Sequence, residues 1–146
     1  MAPTRVQADL VEIFKAQRRM ELKRNGQVLK VYRVALGFAP ERHKEREGDG
    51  RTPEGRYSID ARNSLSAFHL SLRVSYPDDK DKAHAAALGV PPGGDIYIHG
   101  QPNGWRGFLV RRRGNDWTSG CIAVTNREMR EVWALVPTGV PIEIHP

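Results

Sequence analysis

Along residues 10–34 apolar and polar side chains alternate with a period of two. Val11 and Ile13, then Met20 and Leu22, sit between polar neighbours. Successive strand side chains point to opposite faces, so each run has one apolar face. Asn25-Gly26 between two such runs predicts a tight hairpin, because the favoured two-residue turn needs residues that tolerate positive φ. The return strand is "QVLKVYRVALG", with Val28, Val31, Tyr32 and Val34 as β-formers. "RYSID" reads as a short strand. In "AFHLSLRVSY", Phe68, Leu70, Leu72 and Val74 share one face, and His69, Ser71 and Arg73 share the other. "DIYIHG" is a short apolar strand, and "GVPIEIHP" is the last one.

Two stretches carry helical signals instead. "PDDKDKAHAAALG" opens on Pro77-Asp78-Asp79 and closes at Gly89. "TNREMREVWALV" has Thr125 and Glu128 at capping-box spacing, with Met129, Val132, Trp133 and Val136 as an apolar stripe. Two loops are rich in glycine and charge. In "GFAPERHKEREGDGRTPEG" the "TPEG" predicts a turn with Gly55 at positive φ. "QPNGWRGFLVRRRGNDWTSG" offers Trp105 and Trp117 as anchors. Strands dominate without regular βαβ alternation. The expectation is therefore a mostly β fold, mainly antiparallel, with two peripheral helices, in a single domain over residues 1–146.

Composition narrows the functional classes. No apolar run nears the roughly 20 residues of a membrane-spanning helix. The first residues lack the apolar block of a signal peptide, so the expectation is a cytoplasmic chain or one whose leader has been removed. A net charge of +6 favours an anionic partner: nucleic acid, a membrane surface or a wall polymer. A nucleic-acid module would draw on Arg42–Arg51 and Arg111–Arg113. RNP, KH and zinc-finger patterns are missing, however, and no aromatics interleave with the basic run. No paired metal-ligand spacing occurs, so neither metal nor cofactor is expected.

One cysteine rules out an internal disulfide and leaves Cys121 to be explained. A free cysteine is commonly buried filler. A nucleophilic one needs a base and backbone N–H donors for an oxyanion. Gly120 beside it permits a sharp turn and close approach of a substrate carbonyl. Of five histidines, His43 and His145 read as solvated and His84 as a helix-surface residue. His99 ends an apolar strand, precedes Gly100, and opens the loop that leads to Cys121. His99 and Cys121 form a workable dyad.

"IYIHG" followed by a glycine-rich loop and "TSGCIAVTNREM" resembles the catalytic signature of the YkuD-type L,D-transpeptidases. "EGDGRTPEGRYSI" is similar to a stretch these proteins carry upstream, and "FHLSLRVSYPDDKD" resembles their YafK-like branch. The resemblance runs from about Val11 to Ile144. It implies a YkuD-like β-sandwich or barrel and a peptidoglycan-modifying enzyme of the periplasm or cell envelope. In that chemistry Cys121 attacks the L-centre carbonyl of diaminopimelate in a tetrapeptide stem, with His99 as base. D-Alanine leaves, and an amine resolves the thioester. Resolution by water would instead make a hydrolase: an L,D-carboxypeptidase, or a YafK-like amidase releasing a wall-bound lipoprotein. The backbone N–H groups of Gly120 and Cys121, with Ser119 nearby, are the implied oxyanion donors; Thr118 and Gly100 belong to the same motifs. Two positions depart from the family pattern: Ser119 stands where a motif histidine belongs, and Ala123 where an Arg or Asn belongs. Arg73, Arg106 or Arg111–Arg113 are the substitutes for binding stem carboxylates. His69 is the candidate second histidine, and Trp117 a loop anchor or substrate contact.

Overall fold

The computed structural model describes residues 6–66, 69–101 and 116–146. Among the described residues, eight strands and two helices follow one another as β1 (Leu10–Phe14), β2 (Arg19–Arg24), β3 (Gln27–Arg33), β4 (Gly55–Ser66), β5 (His69–Val74), α1 (Asp79–Ala87), β6 (Tyr97–His99), β7 (Ile122–Ala123), α2 (Asn126–Leu135) and β8 (Pro141–His145). The strands form a curled sheet in the order β3-β2-β1-β8-β4-β5-β6-β7. Neighbours are antiparallel except β1 with β8 and β6 with β7. Beyond β3, Ala35 and Ala123 exchange N–H···O bonds of 2.9 Å in both directions. That bridge ties one end of the sheet to the other, the partial closure expected of a barrel.

The period-two pattern is met where it was strongest. Val11, Ile13, Met20 and Leu22 are fully buried. Asn25 and Gly26 take φ of 52° and 80° in the hairpin turn. Val28 and Val31 are exposed, because β3 is the edge strand; its Tyr32 is buried and its Leu29 packs partly against the core. In β5, Leu72 and Val74 are buried on one face. Met129 and Val132 of α2 belong to the same core cluster as these two, together with Ile98 and Ile122 of β6 and β7.

Both helices begin as their sequences predict. Asp78 caps α1 and Thr125 caps α2, each with a reciprocal capping box, to Asp81 and Glu128 respectively. Satisfying two N-terminal donors this way contributes about 1 kcal/mol per helix. Gly89 takes φ +70° just past α1.

Strand β4 is longer than "RYSID" predicts. Its first half pairs with β8 and its second with β5, through a register shift near Ile59. From Asp60 to Ser64 its residues are mostly exposed, so no apolar alternation marks them. There the backbone ladder holds the strand, and the Arg62 guanidinium lies 3.9 Å above the Trp133 ring. Among the described residues no helix is long and apolar enough to cross a membrane.

Candidate active site

The segment 118–121 is wedged between β6 and the chain that follows β3. Gly120 has φ +133°, and a Cβ there would lie 2.7 Å from the Arg51 carbonyl oxygen. At Gly37 a Cβ would lie 2.1 Å from the Gly50 carbonyl oxygen and 3.0 Å from Gly120 Cα. Only glycine permits this backbone-to-backbone packing. Two buried threonines complete it. Thr118 Oγ1 accepts from Gly120 N–H (3.1 Å) and donates to the Cys121 carbonyl (2.7 Å). Thr52 Oγ1 accepts from Gly37 N–H (3.1 Å) and donates to the Gly120 carbonyl (2.9 Å).

Cys121 directly precedes β7. The parallel register sets Ile122 beside Ile98 and Ala123 beside His99. One residue back, Cys121 falls beside Tyr97, whose N–H donates to Sγ at 3.4 Å. Side chains two apart on a strand share a face, so His99 and Cys121 project together, diagonally across adjacent strands. From the strand spacing and rise, their Cα atoms are roughly 8 Å apart, within reach of two side chains. In the resting arrangement the thiol donates to the Asp95 carbonyl at 3.2 Å. Asp95 itself holds φ +55°.

His99 is 4% exposed. Its Nδ1 lies 2.5 Å from the Gly100 carbonyl oxygen. A carbonyl only accepts, so the neutral ring carries its proton on Nδ1 and a lone pair on Nε2. The Trp117 ring packs on the imidazole, centroids 5.7 Å apart at 60°. Burial drives the imidazolium down to about 4, against the opposing pull of the Gly100 carbonyl. Burial pushes the Cys121 thiol up to about 11; the Tyr97 N–H lowers it and the Asp95 charge raises it further. At neutral pH the resting pair is therefore a thiol and a neutral imidazole.

The remaining expected site residues divide. Thr118 is a buried brace of the loop and Ser119 is exposed. Gly120 N–H, an expected oxyanion donor, is held by Thr118 Oγ1. Trp117 is a neighbour of His99. Arg73 lies on the site face, beside Tyr97 in register, but its Nε is bonded to Asp60 at 2.7 Å. Ala123 is buried in the bridge to Ala35, which leaves its side chain nothing to offer a carboxylate. His69 opens β5, beside Ser66 of β4. Trp105, Arg106 and Arg111–Arg113 lie outside the described residues.

Two histidines expected in solvent are instead held. His43 accepts the Glu54 N–H at Nδ1 (2.7 Å) and joins Asp81 through Nε2 (2.8 Å). His145 stacks on Phe14 and bonds Glu12 at 2.8 Å. Glu12, Glu143 and His145 bring three ligand-type atoms within 4.8 Å of one another. Lys23 and Arg56 already neutralise the two carboxylates, so this is an ion-pair network. His84 stays exposed on α1, 3.4 Å from Glu45. Sequence reasoning missed Thr52, Asp95 and Tyr97. Thr52 sits inside "TPEG", a stretch that reads as a turn and nothing more.

Residues 8–144 match the YkuD family, the L,D-transpeptidase catalytic domain. The putative L,D-transpeptidase YafK of Escherichia coli K12 is 27% identical over 136 residues, covering 86% of this chain and 46% of its own length. The chain thus spans about half the length of the curated relative it matches. Among solved structures, the helical cell shape determining protein Pgp2 of Campylobacter jejuni shares the fold with a TM-score of 0.69 at 21% identity, over 95% of this chain and 48% of that one. The L,D-transpeptidase of Mycobacterium smegmatis gives 0.62 at 16% identity, over 95% and 59%. With the family match running over residues 8–144, which take in both His99 and Cys121, the chain belongs to the YkuD family of L,D-transpeptidase catalytic domains, a class of enzyme.

Proposed function

We propose that this domain acts in the bacterial cell envelope on peptidoglycan tetrapeptide stems, through a thioester on Cys121. The observation that carries the reading is the shared face of His99 and Cys121 across β6 and β7, within the family match. Sγ bonds to the L-centre carbonyl carbon of diaminopimelate. The C–N bond to the terminal D-alanine breaks, and the thiol proton passes by way of His99 Nε2 to the leaving amine. An amine of a second stem, or of a wall-linked lipoprotein, then displaces Sγ.

The titration of the pair bears on timing. With the thiol at about 11 and the imidazolium at about 4, a prior proton transfer costs about 10 kcal/mol before the two charges attract. A standing thiolate–imidazolium pair is therefore disfavoured in the resting enzyme. His99 works as a general base whose proton gain accompanies S–C bond formation. The Gly100 carbonyl holds the tautomer that leaves Nε2 basic. Because Gly120 N–H is committed to Thr118, oxyanion stabilisation falls to the Cys121 N–H.

Incubation with purified tetrapeptide muropeptides, with products identified by mass, tests the reading. Wild type is expected to release D-alanine, and a carbapenem to leave a covalent adduct on Cys121. Cross-linked dimers identify transfer to an amine; trimmed tripeptides identify water as acceptor. Turnover surviving in Cys121→Ala would sink the mechanism.

A further inference from the structure

We propose that Thr52 is a positioning residue that sets the orientation of the peptide between Gly120 and Cys121, and with it the direction of the Cys121 N–H. The inference rests on Cys121 being the nucleophile. Thr52 lies in the loop between β3 and β4, 69 positions before the cysteine in sequence, and is fully buried. Its hydroxyl donates to the Gly120 carbonyl at 2.9 Å. That carbonyl and the Cys121 N–H belong to one planar trans peptide, so they point in opposite directions. Fixing the oxygen against Thr52 fixes the hydrogen on the other side, where a developing oxyanion needs it.

The flanking peptides are pinned as well. Thr118 Oγ1 takes the Gly120 N–H and reaches the Cys121 carbonyl. Three consecutive peptide planes are thereby set by two hydroxyls, and only Thr52 acts on the middle one. Thr52 is itself anchored. Its Oγ1 accepts from Gly37 N–H at 3.1 Å, and its carbonyl accepts from Lys15 Nζ at 2.7 Å. Lys15 also reaches the Arg42 carbonyl at 2.9 Å and Glu54 at 3.2 Å. Gly120 in the left-handed region has a wide choice of ψ, so without an external donor to its carbonyl the peptide is free to turn.

The test compares Thr52→Val, which keeps the shape and loses the hydroxyl, with Thr52→Ser, which keeps the hydroxyl. Acylation of Cys121 by a carbapenem forms Sγ–C, breaks the lactam C–N bond and passes through an oxyanion. Alkylation by iodoacetamide displaces iodide and forms no oxyanion. Thr52→Val should acylate about tenfold or more slowly at saturation, with little change in half-saturation, because a misdirected donor acts on the transition state. Its alkylation rate should stay within about threefold of wild type, and Thr52→Ser should acylate at close to the wild-type rate. Equal acylation by Thr52→Val and wild type overturns the proposal, as does an equal loss in Thr52→Ser. A parallel loss of alkylation and acylation also overturns it, in favour of general loosening. If wild type forms no adduct, the reading of Cys121 fails, and the placement is still decided by the Cys121 amide resonance. That resonance should move in Thr52→Val and hold in Thr52→Ser. If Thr52→Val does not fold, Thr52→Ser alone decides: a folded serine variant with lost acylation refutes the idea.

Discussion

Replacing His99 by Gln should flatten the acid limb of the stability curve. The imidazole is 4% exposed. Folding lowers its titration from 6.5 to about 4, chiefly through burial. Between those values the unfolded chain binds a proton that the folded protein refuses. The contribution is thus complete above pH 6.5 and is lost as pH falls toward 4. The whole gap corresponds to about 3 kcal/mol, and the part lost between pH 7.5 and 5 to about 2 kcal/mol. Urea unfolding followed by tryptophan fluorescence at half-unit pH steps gives the free energy at each pH. Glu12, Asp49 and Asp81 also titrate below their ordinary values. Their acid losses are common to both proteins and cancel in the difference. Wild type should therefore lose about 2 kcal/mol more than His99→Gln over that range. Parallel curves would refute the buried, neutral imidazole on which the general-base assignment depends.

Two further outcomes follow from the same geometry. Gly120→Ala must place a Cβ 2.7 Å from a backbone oxygen at φ +133°. It should cost about 2–4 kcal/mol and lower the thermal midpoint, and an unchanged midpoint would mean that the segments 50–52 and 118–121 do not press together. The iodoacetamide reaction of wild-type Cys121 should keep rising with pH toward an apparent value of about 11. A rate that levels off near pH 8 would show a thiolate already formed in the resting enzyme.

The parts of this protein that were legible without coordinates are those set by neighbours in the chain. Val11, Ile13, Met20 and Leu22 announce their strands because one face of each strand enters the core. Asn25-Gly26 announces its turn, and Asp78 and Thr125 announce their helices, because backbone preference and capping act over two to four residues. His99 and Cys121 could be nominated because a strand-end histidine and a glycine-flanked thiol are local features too. Strand β4 defied the same reading. Its outer half buries little, so only its partner β5 makes it a strand.

What tertiary structure alone decided concerns contacts between distant segments. The parallel pairing of β1 with β8, and the Ala35–Ala123 bridge that ties the sheet ends, join residues separated by most of the chain. No local pattern encodes which strand will be a neighbour. The chemical state of the dyad is of the same kind. Whether the thiol rests against the Asp95 carbonyl, and whether His99 is neutral, depends on desolvation by Trp117 and the packed sheet rather than on spacing. Thr52 shows the division most plainly. In the sequence it belongs to a turn; folding places its hydroxyl against the peptide that joins Gly120 to Cys121. Residue type and period determined the caps, the strands with one apolar face, and the nomination of His99 and Cys121, because those rest on local geometry. Burial, register and the aim of single peptide bonds were left to the fold, because they exist only once remote segments meet.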